Sequence, residues 1–389
     1  MKRILLCGVP NSGNLGDRVI AESINYIFST SHNSYEIQNF DLTNGLMRKE
    51  QKLVKIGLAS SNFTKRMIPN SLRRRKVINV YKKNSSLTIS IKKHISETDV
   101  VVIGGGHLLI DNYLNFPTAI DNIVKEAKIQ GIPVIFAFVG AKGPWSKTAK
   151  ELLTSALEYA TYIVVRDRDS KEFLLSINKN LNEKLVAISD PALFVKEIIG
   201  VSSEEKVKTN IGLGIMDPNE IRRHSNLRWS RRKSALWWSE LAKNLVSKGY
   251  QVSIFTNGAA TDNGFVEYFI KKELKDVQEV DYCEYPTTHV MLLNSIKKQD
   301  IIIAQRLHAC LPAISLGKIT FGLAWDRKLE NILKELDLAD FLIDFNDSPT
   351  LNMNKIELQL AVKDSDKLKN ENLINAKKRE MLAFVNQKI

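Results

Sequence analysis

The sharpest chemistry in the sequence lies at Arg306-Leu307-His308-Ala309. This box follows Asp300–Ala304 (DIIIA), an apolar run of strand length, and precedes Ala309–Leu316, which reads as a helix. Residues two apart at the end of a strand point to one side, so a guanidinium and an imidazole are expected to share that edge. A guanidinium forks onto a carboxylate or phosphate. An imidazole at a helix N-terminus has its protonated form disfavoured by the dipole unless an anion lies beside it. The pair therefore suits a group that takes up a proton only when an anionic ligand is bound. A lone histidine is more often structural, and the Arg-x-His spacing at a strand edge weighs against that here.

Four further boxes sit just after apolar runs. Ile4–Val9 leads into Gly8-Val9-Pro10-Asn11-Ser12-Gly13-Asn14-Leu15-Gly16-Asp17. Its glycines permit a sharp turn, and amides at the following helix start can face an anion. It is not G-x-G-x-x-G and lacks the Lys-Ser/Thr of a phosphate-binding P-loop, so no nucleotide motif is present. Asp17 reads either as the cap of that helix or as a site residue. Asp99–Ile103 leads into Gly104-Gly105-Gly106-His107, which serves either close approach of a ligand or a tight turn. Pro133–Val139 leads into Gly140-Ala141-Lys142-Gly143-Pro144, placing Lys142 at the edge. Tyr162–Val165 leads into Arg166-Asp167-Arg168-Asp169-Ser170. Arg166 can fork onto an anion, or Arg166–Asp167 and Arg168–Asp169 pairs can hold the turn, and Asp169 is a candidate cap for a helix over Ser170–Leu175.

The elements that must position these boxes alternate between strand-length Val/Ile-rich runs and helices. That pattern predicts α/β architecture with parallel sheets covered on both faces, and ligands at the carboxyl ends of the strands. It runs through two series, giving two Rossmann-like doubly wound domains facing a cleft: 1–197 and 208–350 around a charged linker Lys196–Lys208, with a helical, Lys-rich C-terminal tail, 351–389. The 389 residues, 44% hydrophobic and 25% charged, suffice for two cores and exclude disorder as the main state. No apolar run is long enough to span a membrane. Three separated cysteines (Cys7, Cys283, Cys310) and six scattered histidines predict neither a disulfide framework nor a metal cluster, so no cofactor is expected and a cytoplasmic location is.

The formal net charge of +13 is concentrated. Lys65 to Lys93 holds ten lysines and arginines with no acid, among them Arg73, Arg74 and Arg75. Arg222 to Lys233 holds six with no acid, including Arg222, Arg223, Arg228, Arg231 and Arg232. The remainder is close to neutral. Such segments attract phosphates on nucleic acid, lipid headgroups or small substrates, or are simply solvated loops. Trp229, interleaved with the second run, and the adjacent Trp237 and Trp238 suit either sugar stacking, a membrane interface or a helix core.

The ordered boxes together resemble the polysaccharide pyruvyl transferase family from about Leu5 to Leu333. The resemblance rests on G-N-x-G-D at Gly13–Asp17, V-V-I-G-G-G-H-L-L-x-D at Val101–Asp111 and V-G-A-x-G-P at Val139–Pro144. R-D-x-x-S at Arg166–Ser170, D-P-A-L at Asp190–Leu193, R-L-H-A at Arg306–Ala309 and W-D-x-K at Trp325–Lys328 complete it. It implies a glycosyltransferase-B-like pair of Rossmann domains with the active site between them, and transfer of the enolpyruvyl unit of phosphoenolpyruvate to two sugar hydroxyls as a cyclic ketal. On that basis Arg306 and His308 fall on the donor-binding and acid–base positions, and Arg166 on a second anion clamp. Asn14, Gly16, Asp17, Gly105, Gly106, His107, Asp111, Lys142, Leu307, Asp326 and Lys328 are implied substrate contacts, with Asp17 or Asp111 orienting or deprotonating the acceptor hydroxyl. Three positions depart from the family pattern: Arg18 where an acid is common, Lys142 in place of a small residue, and Trp325 in place of a frequent Tyr.

The implied acceptor is a sugar of a bacterial surface polysaccharide or its lipid-linked precursor, which would place the protein at the inner face of the cytoplasmic membrane, its basic segments against anionic lipid. Three other functions compete. A glycosyltransferase of the same fold using a nucleotide sugar calls for a ribose-clamping carboxylate, and none stands at a convincing position. Nucleic-acid binding is suggested by charge but lacks a motif. A non-catalytic sugar-binding role is disfavoured by the intact Arg306-x-His308.

Overall fold

The computed structural model describes residues 1–31, 34–43, 69–200, 208–224, 229–325, 327–361 and 365–389. They build two compact units, each around a parallel six-stranded sheet.

The first sheet comprises β1 (Lys2–Gly8), β2 (Tyr35–Asp41), β3 (Val100–Gly104), β4 (Val134–Val139), β5 (Tyr162–Val165) and β6 (Leu185–Ala187), ordered β2-β1-β3-β4-β5-β6. β3 (VVVIG) and β4 (VIFAFV) are buried at every residue. Strands enclosed by helices on both faces need apolar side chains in both directions, which is why these runs do not alternate. The edge strand β2 (YEIQNFD) instead exposes Glu36, Gln38 and Asn39, which blunts an open edge.

The second sheet comprises β7 (Asn210–Gly214), β8 (Gln251–Phe255), β9 (Val280–Tyr282), β10 (Ile301–Ala304), β11 (Ile319–Ala324) and β12 (Leu342–Asp344), ordered β12-β11-β10-β7-β8-β9. Read from β9, this is the 3-2-1-4-5-6 order of a Rossmann sheet, with the reversal of direction between β7 and β10. β9 and β12 are three-residue edge strands, too short and too polar to stand out in the sequence.

The units do not follow the expected boundaries of 1–197, 208–350 and 351–389. One holds residues 1–12, 20–191 and 377–389; the other holds 13–19 and 192–376. The tail is therefore not a separate piece. The helix Ser365–Lys388 ends within the first unit, where Phe384 packs edge-on against Phe138 and Tyr162, and Met381 and Val385 are buried. The Lys2 ammonium bonds the carbonyl of Ile389.

The basic segments correct two expectations. Residues 70–83 of the first basic run form a helix, not a solvated loop. Within it the Arg74 guanidinium donates to Asp111 at 2.8 Å, and Arg73 lies over the Tyr113 ring at 5.0 Å. In the second segment Arg231 pairs with Asp217, while Arg228 lies outside the described residues; Arg222 and Arg223 fall in the helix Pro218–His224. The tryptophans are core. Trp229, Trp237 and Trp238 surround Phe345 with centroids 4.6, 4.8 and 6.0 Å away, and the Trp237 indole donates to the Asp347 carbonyl. They are unavailable for sugar stacking. No helix among the described residues is long and apolar enough to cross a membrane.

Candidate functional site

In the second unit, the loops after β7 and β10 leave the sheet side by side at the reversal point, the place where open α/β sheets bind ligands. Gln305 ties them together. Its side-chain carbonyl accepts from the Met216 amide (3.1 Å), and its backbone carbonyl accepts from the Trp325 indole (2.7 Å). The tryptophan that departs from the family pattern thus holds the loop that carries Arg306.

Arg306 has extended backbone and stands at the N-cap position of the helix Leu307–Ser315, with no side-chain capping bond. Its Nε donates to Asp262 Oδ2 at 2.7 Å, and Nη2 lies 2.6 Å from the same oxygen. Asp262 is 0% exposed, whereas Arg306 keeps 24%. The other Asp262 oxygen accepts from the Asp217 amide (2.9 Å). Burial pushes the Asp262 carboxyl above its ordinary range, with Arg306 pulling the other way. Asp217 in turn holds Arg231 through Nε and Nη2, and those hydrogen bonds keep Arg231 above its usual value. The sequence pattern missed Asp217, Asp262 and Arg231 as partners of this site. An Asp after each of β7 and β8 was a signal, but only the sheet order shows which loops are neighbours.

His308 is the second residue of its helix, with φ −86° and ψ 24°, away from helical values. Asn257 Nδ2 donates to its carbonyl (3.2 Å). The Gly13–Val19 stretch belongs to this unit and approaches the imidazole closely: a Cβ at Gly16 would lie 2.7 Å from His308 Nδ1. Leu15 seats that stretch against Gly258, whose φ of +81° and lack of a Cβ are both required there. The helix Leu15–Ser29 is capped by Asn14, whose Oδ1 accepts from the Gly16 amide (3.1 Å), so Asp17 is not the cap. Leu307 is half-buried beside these residues, and Lys328 sits in the first turn of the helix Arg327–Glu335. Asp326 lies outside the described residues.

The first unit gathers the other boxes at the carboxyl ends of β3, β4 and β5. Arg166 donates through Nη1 to Asp190 at 2.8 Å, and the two are 2% and 1% exposed. Its Nη2 lies 3.4 Å from His107 Nδ1. Gly140 makes room for both: a Cβ there would lie 2.8 Å from His107 Nδ1 and 3.2 Å from Arg166 Nε. Arg166 therefore does not present its guanidinium to solvent. Its hydrogen-bonded partner is Asp190 of the D-P-A-L box, its Nε also lies 3.9 Å from the Asp167 carboxylate, and Arg168 pairs with Glu172. Asp167, rather than Asp169, caps the helix Arg168–Ile177, accepting from the Ser170 amide.

Gly105 and Gly106 have φ of +78° and +81°, and Gly105 lets Ile20 and Ile24 pack onto the turn. Asp111 accepts from Arg74, the Ser146 amide and the Leu114 amide. Burial pushes its carboxyl up, but the bonds from Ser146 and Arg74 outweigh burial and hold it below its ordinary range. An ionised carboxylate so fully engaged is a poor proton acceptor. Lys142 is exposed, with its carbonyl accepting from the Trp145 indole. Among the described residues, no group of three His, Cys, Asp or Glu side chains is placed to hold a metal ion.

Two Rossmann-like units of this strand order, with ligand-type loops at the strand ends, define a glycosyltransferase-B fold. Solved structures agree. The chain is similar to UDP-GlcNAc 2-epimerase from Neisseria meningitidis bound to UDP-GlcNAc (TM-score 0.54, 14% identity, 99% of each chain covered). It is also similar to UDP-GlcNAc 2-epimerase from Methanocaldococcus jannaschii (TM-score 0.57, 12% identity, 93% of this chain and 94% of that one). At such identities the likeness concerns the fold. Among curated protein sequences none matches. The family model "Polysaccharide pyruvyl transferase" matches residues 14–327, and the chain belongs to that family.

Proposed function

We propose that the protein transfers the enolpyruvyl unit of phosphoenolpyruvate to two hydroxyls of a sugar in a surface polysaccharide or its lipid-linked precursor, forming a pyruvate ketal. The observation that carries this is Arg306, held on a fully buried Asp262 at the reversal point of the second sheet, two residues before His308.

Phosphoenolpyruvate carries a carboxylate and a phosphate, and an anchored guanidinium is suited to hold either. His308, as its imidazolium, delivers a proton to the methylene carbon. The adjacent carbon gains oxocarbenium character and is attacked by the first sugar hydroxyl. Phosphate leaves, and the second hydroxyl closes the ring. Of the two hydroxyl protons lost, one restores His308 and one departs with phosphate. Such an acid contributes about 10²–10⁴-fold, and Arg306 stabilises charge on the donor as it redistributes.

Arg166, bound to Asp190 and beside His107, orients that imidazole at the end of β4 rather than gripping donor directly. Asp111, engaged as it is, gives way to Asp17 as the residue near the acceptor. Calorimetric titration is the test. Binding of phosphoenolpyruvate that weakens in Arg306→Ala supports the donor; binding of a nucleotide sugar in its place transfers the site to glycosyl transfer.

For a lipid-linked acceptor, Arg75 remains exposed to meet an anionic membrane surface, at about 1 kcal/mol per basic residue. Co-sedimentation with anionic vesicles that falls in Arg75→Gln supports this contact; no vesicle binding by the parent removes it.

A further inference from the structure

The Arg–Asp pairs of the structure differ in which partner they enclose. Arg166 and Asp190 are 2% and 1% exposed, a pair closed on both sides. Arg231–Asp217 and Arg306–Asp262 differ: each aspartate side chain is 0% exposed, while the arginine side chains keep 29% and 24%. Here the acid is an anchor and the arginine faces outward.

The two open pairs are one assembly. The Asp217 amide donates to Asp262, so the residue that grips Arg231 also grips the residue that grips Arg306. In both guanidiniums the carboxylate takes Nε and Nη2, and among the described residues no hydrogen bond or ion pair reaches Nη1. The Phe269 ring lies 5.7 Å from the Arg231 guanidinium carbon, which fixes the plane of the fork. A guanidinium with one edge on a buried carboxylate and a face on an aromatic ring has lost its rotamer freedom before any ligand arrives, so binding costs less entropy. The two buried carboxylates balance the charge of the two guanidiniums and leave two N–H edges for incoming anions.

We propose that Arg231 is a second anion-binding residue of the Arg306 site, so that the pair receives a ligand carrying two anionic groups, one on each guanidinium. For phosphoenolpyruvate this assigns one arginine to the carboxylate and the other to the phosphate. That assignment rests on the proposed donor, whereas the two-anion subsite does not.

The test titrates phosphoenolpyruvate and, separately, inorganic pyrophosphate into the parent, Arg231→Gln, Arg231→Lys and Arg232→Gln, the last removing an exposed neighbouring charge. Arg231→Gln weakens both ligands about tenfold or more, and Arg232→Gln leaves both at the parental value. Arg231→Lys keeps a charge on Asp217, protecting the fold, and still loses at least about threefold because a point charge lacks the fork. Arg231-dependent binding of pyrophosphate with no binding of phosphoenolpyruvate leaves the subsite standing and removes the proposed donor. The subsite is overturned if the parent binds neither ligand, or if Arg231→Gln binds both within twofold of the parent. Should Arg231→Gln fail to fold, parental affinity in Arg231→Lys overturns it equally.

Discussion

Gly16 is the floor on which the His308 imidazole rests: a methyl group at residue 16 would stand 2.7 Å from Nδ1 and 2.8 Å from Cβ of His308. No side-chain atom tolerates that approach, and the neighbouring stretch is pinned by Leu15 against Gly258. The glycine of the first box thus exists for the histidine of the last. Gly16→Ala must turn the imidazole away from its position. The expected outcome is a fall in turnover of about 10²-fold, within the range of losing an acid catalyst, with donor affinity changed far less. Steady-state kinetics beside donor titration checks it; loss of affinity with unchanged turnover contradicts it.

Asp262→Asn tests the anchor of Arg306. Removing the buried carboxylate takes away the charged hydrogen bonds that hold the part-exposed Arg306 and costs about 1.5–3 kcal/mol. Chemical unfolding should show a loss of that size, and donor affinity should fall because the guanidinium is no longer held. Asp262→Asn with parental stability and affinity means that Arg306 is positioned by its backbone alone.

Asp111 sets a pH dependence in the first unit. Its folded value lies below the ordinary 3.8, so its contribution is present above the unfolded value and is lost as pH falls through about 4 and below. Thermal melting of the parent and Asp111→Asn at pH 7 and pH 3.5 reads this out. The variant starts lower and loses less between the two conditions. Equal losses remove Asp111 from the account of acid sensitivity.

Phe345 is the hub of the tryptophan cluster in the second unit, packed against Trp229, Trp237 and Trp238. Truncation to alanine leaves a cavity among rings that cannot collapse, at about 3–5 kcal/mol. Phe345→Ala should lower unfolding stability by that amount and blue-shifted tryptophan emission should move toward the solvent value. Unaltered emission would mean that these rings pack without Phe345.

Much of this was legible in the sequence, and the reasons differ by element. Continuous apolar runs such as DVVVI and PVIFAFV mark doubly covered strands with no knowledge of their neighbours. Arg306-x-His308 stood out because it followed such a run. β9 and β12 did not, because three residues carry no periodicity. The anchors Asp217 and Asp262 were hidden for another reason. Their loops follow β7 and β8, and only the observed strand order places both beside the loop after β10. Charge misled in the opposite way: Arg73, Arg74 and Arg231 read as part of basic runs open to an anionic partner or to solvent, whereas Tyr113, Asp111 and Asp217 engage them. A local run of like charge says nothing of distant partners.

The central claim is that the Arg306–His308 site consumes phosphoenolpyruvate. The direct measurement is phosphate release from phosphoenolpyruvate by the purified protein with candidate glycan acceptors, with mass spectrometry of the product. Release is expected to depend on acceptor, the product to be heavier by pyruvic acid less one water, and His308→Ala to lose about 10²–10⁴-fold. Release by His308→Ala as fast as by the parent contradicts the account, as does a product of unchanged mass.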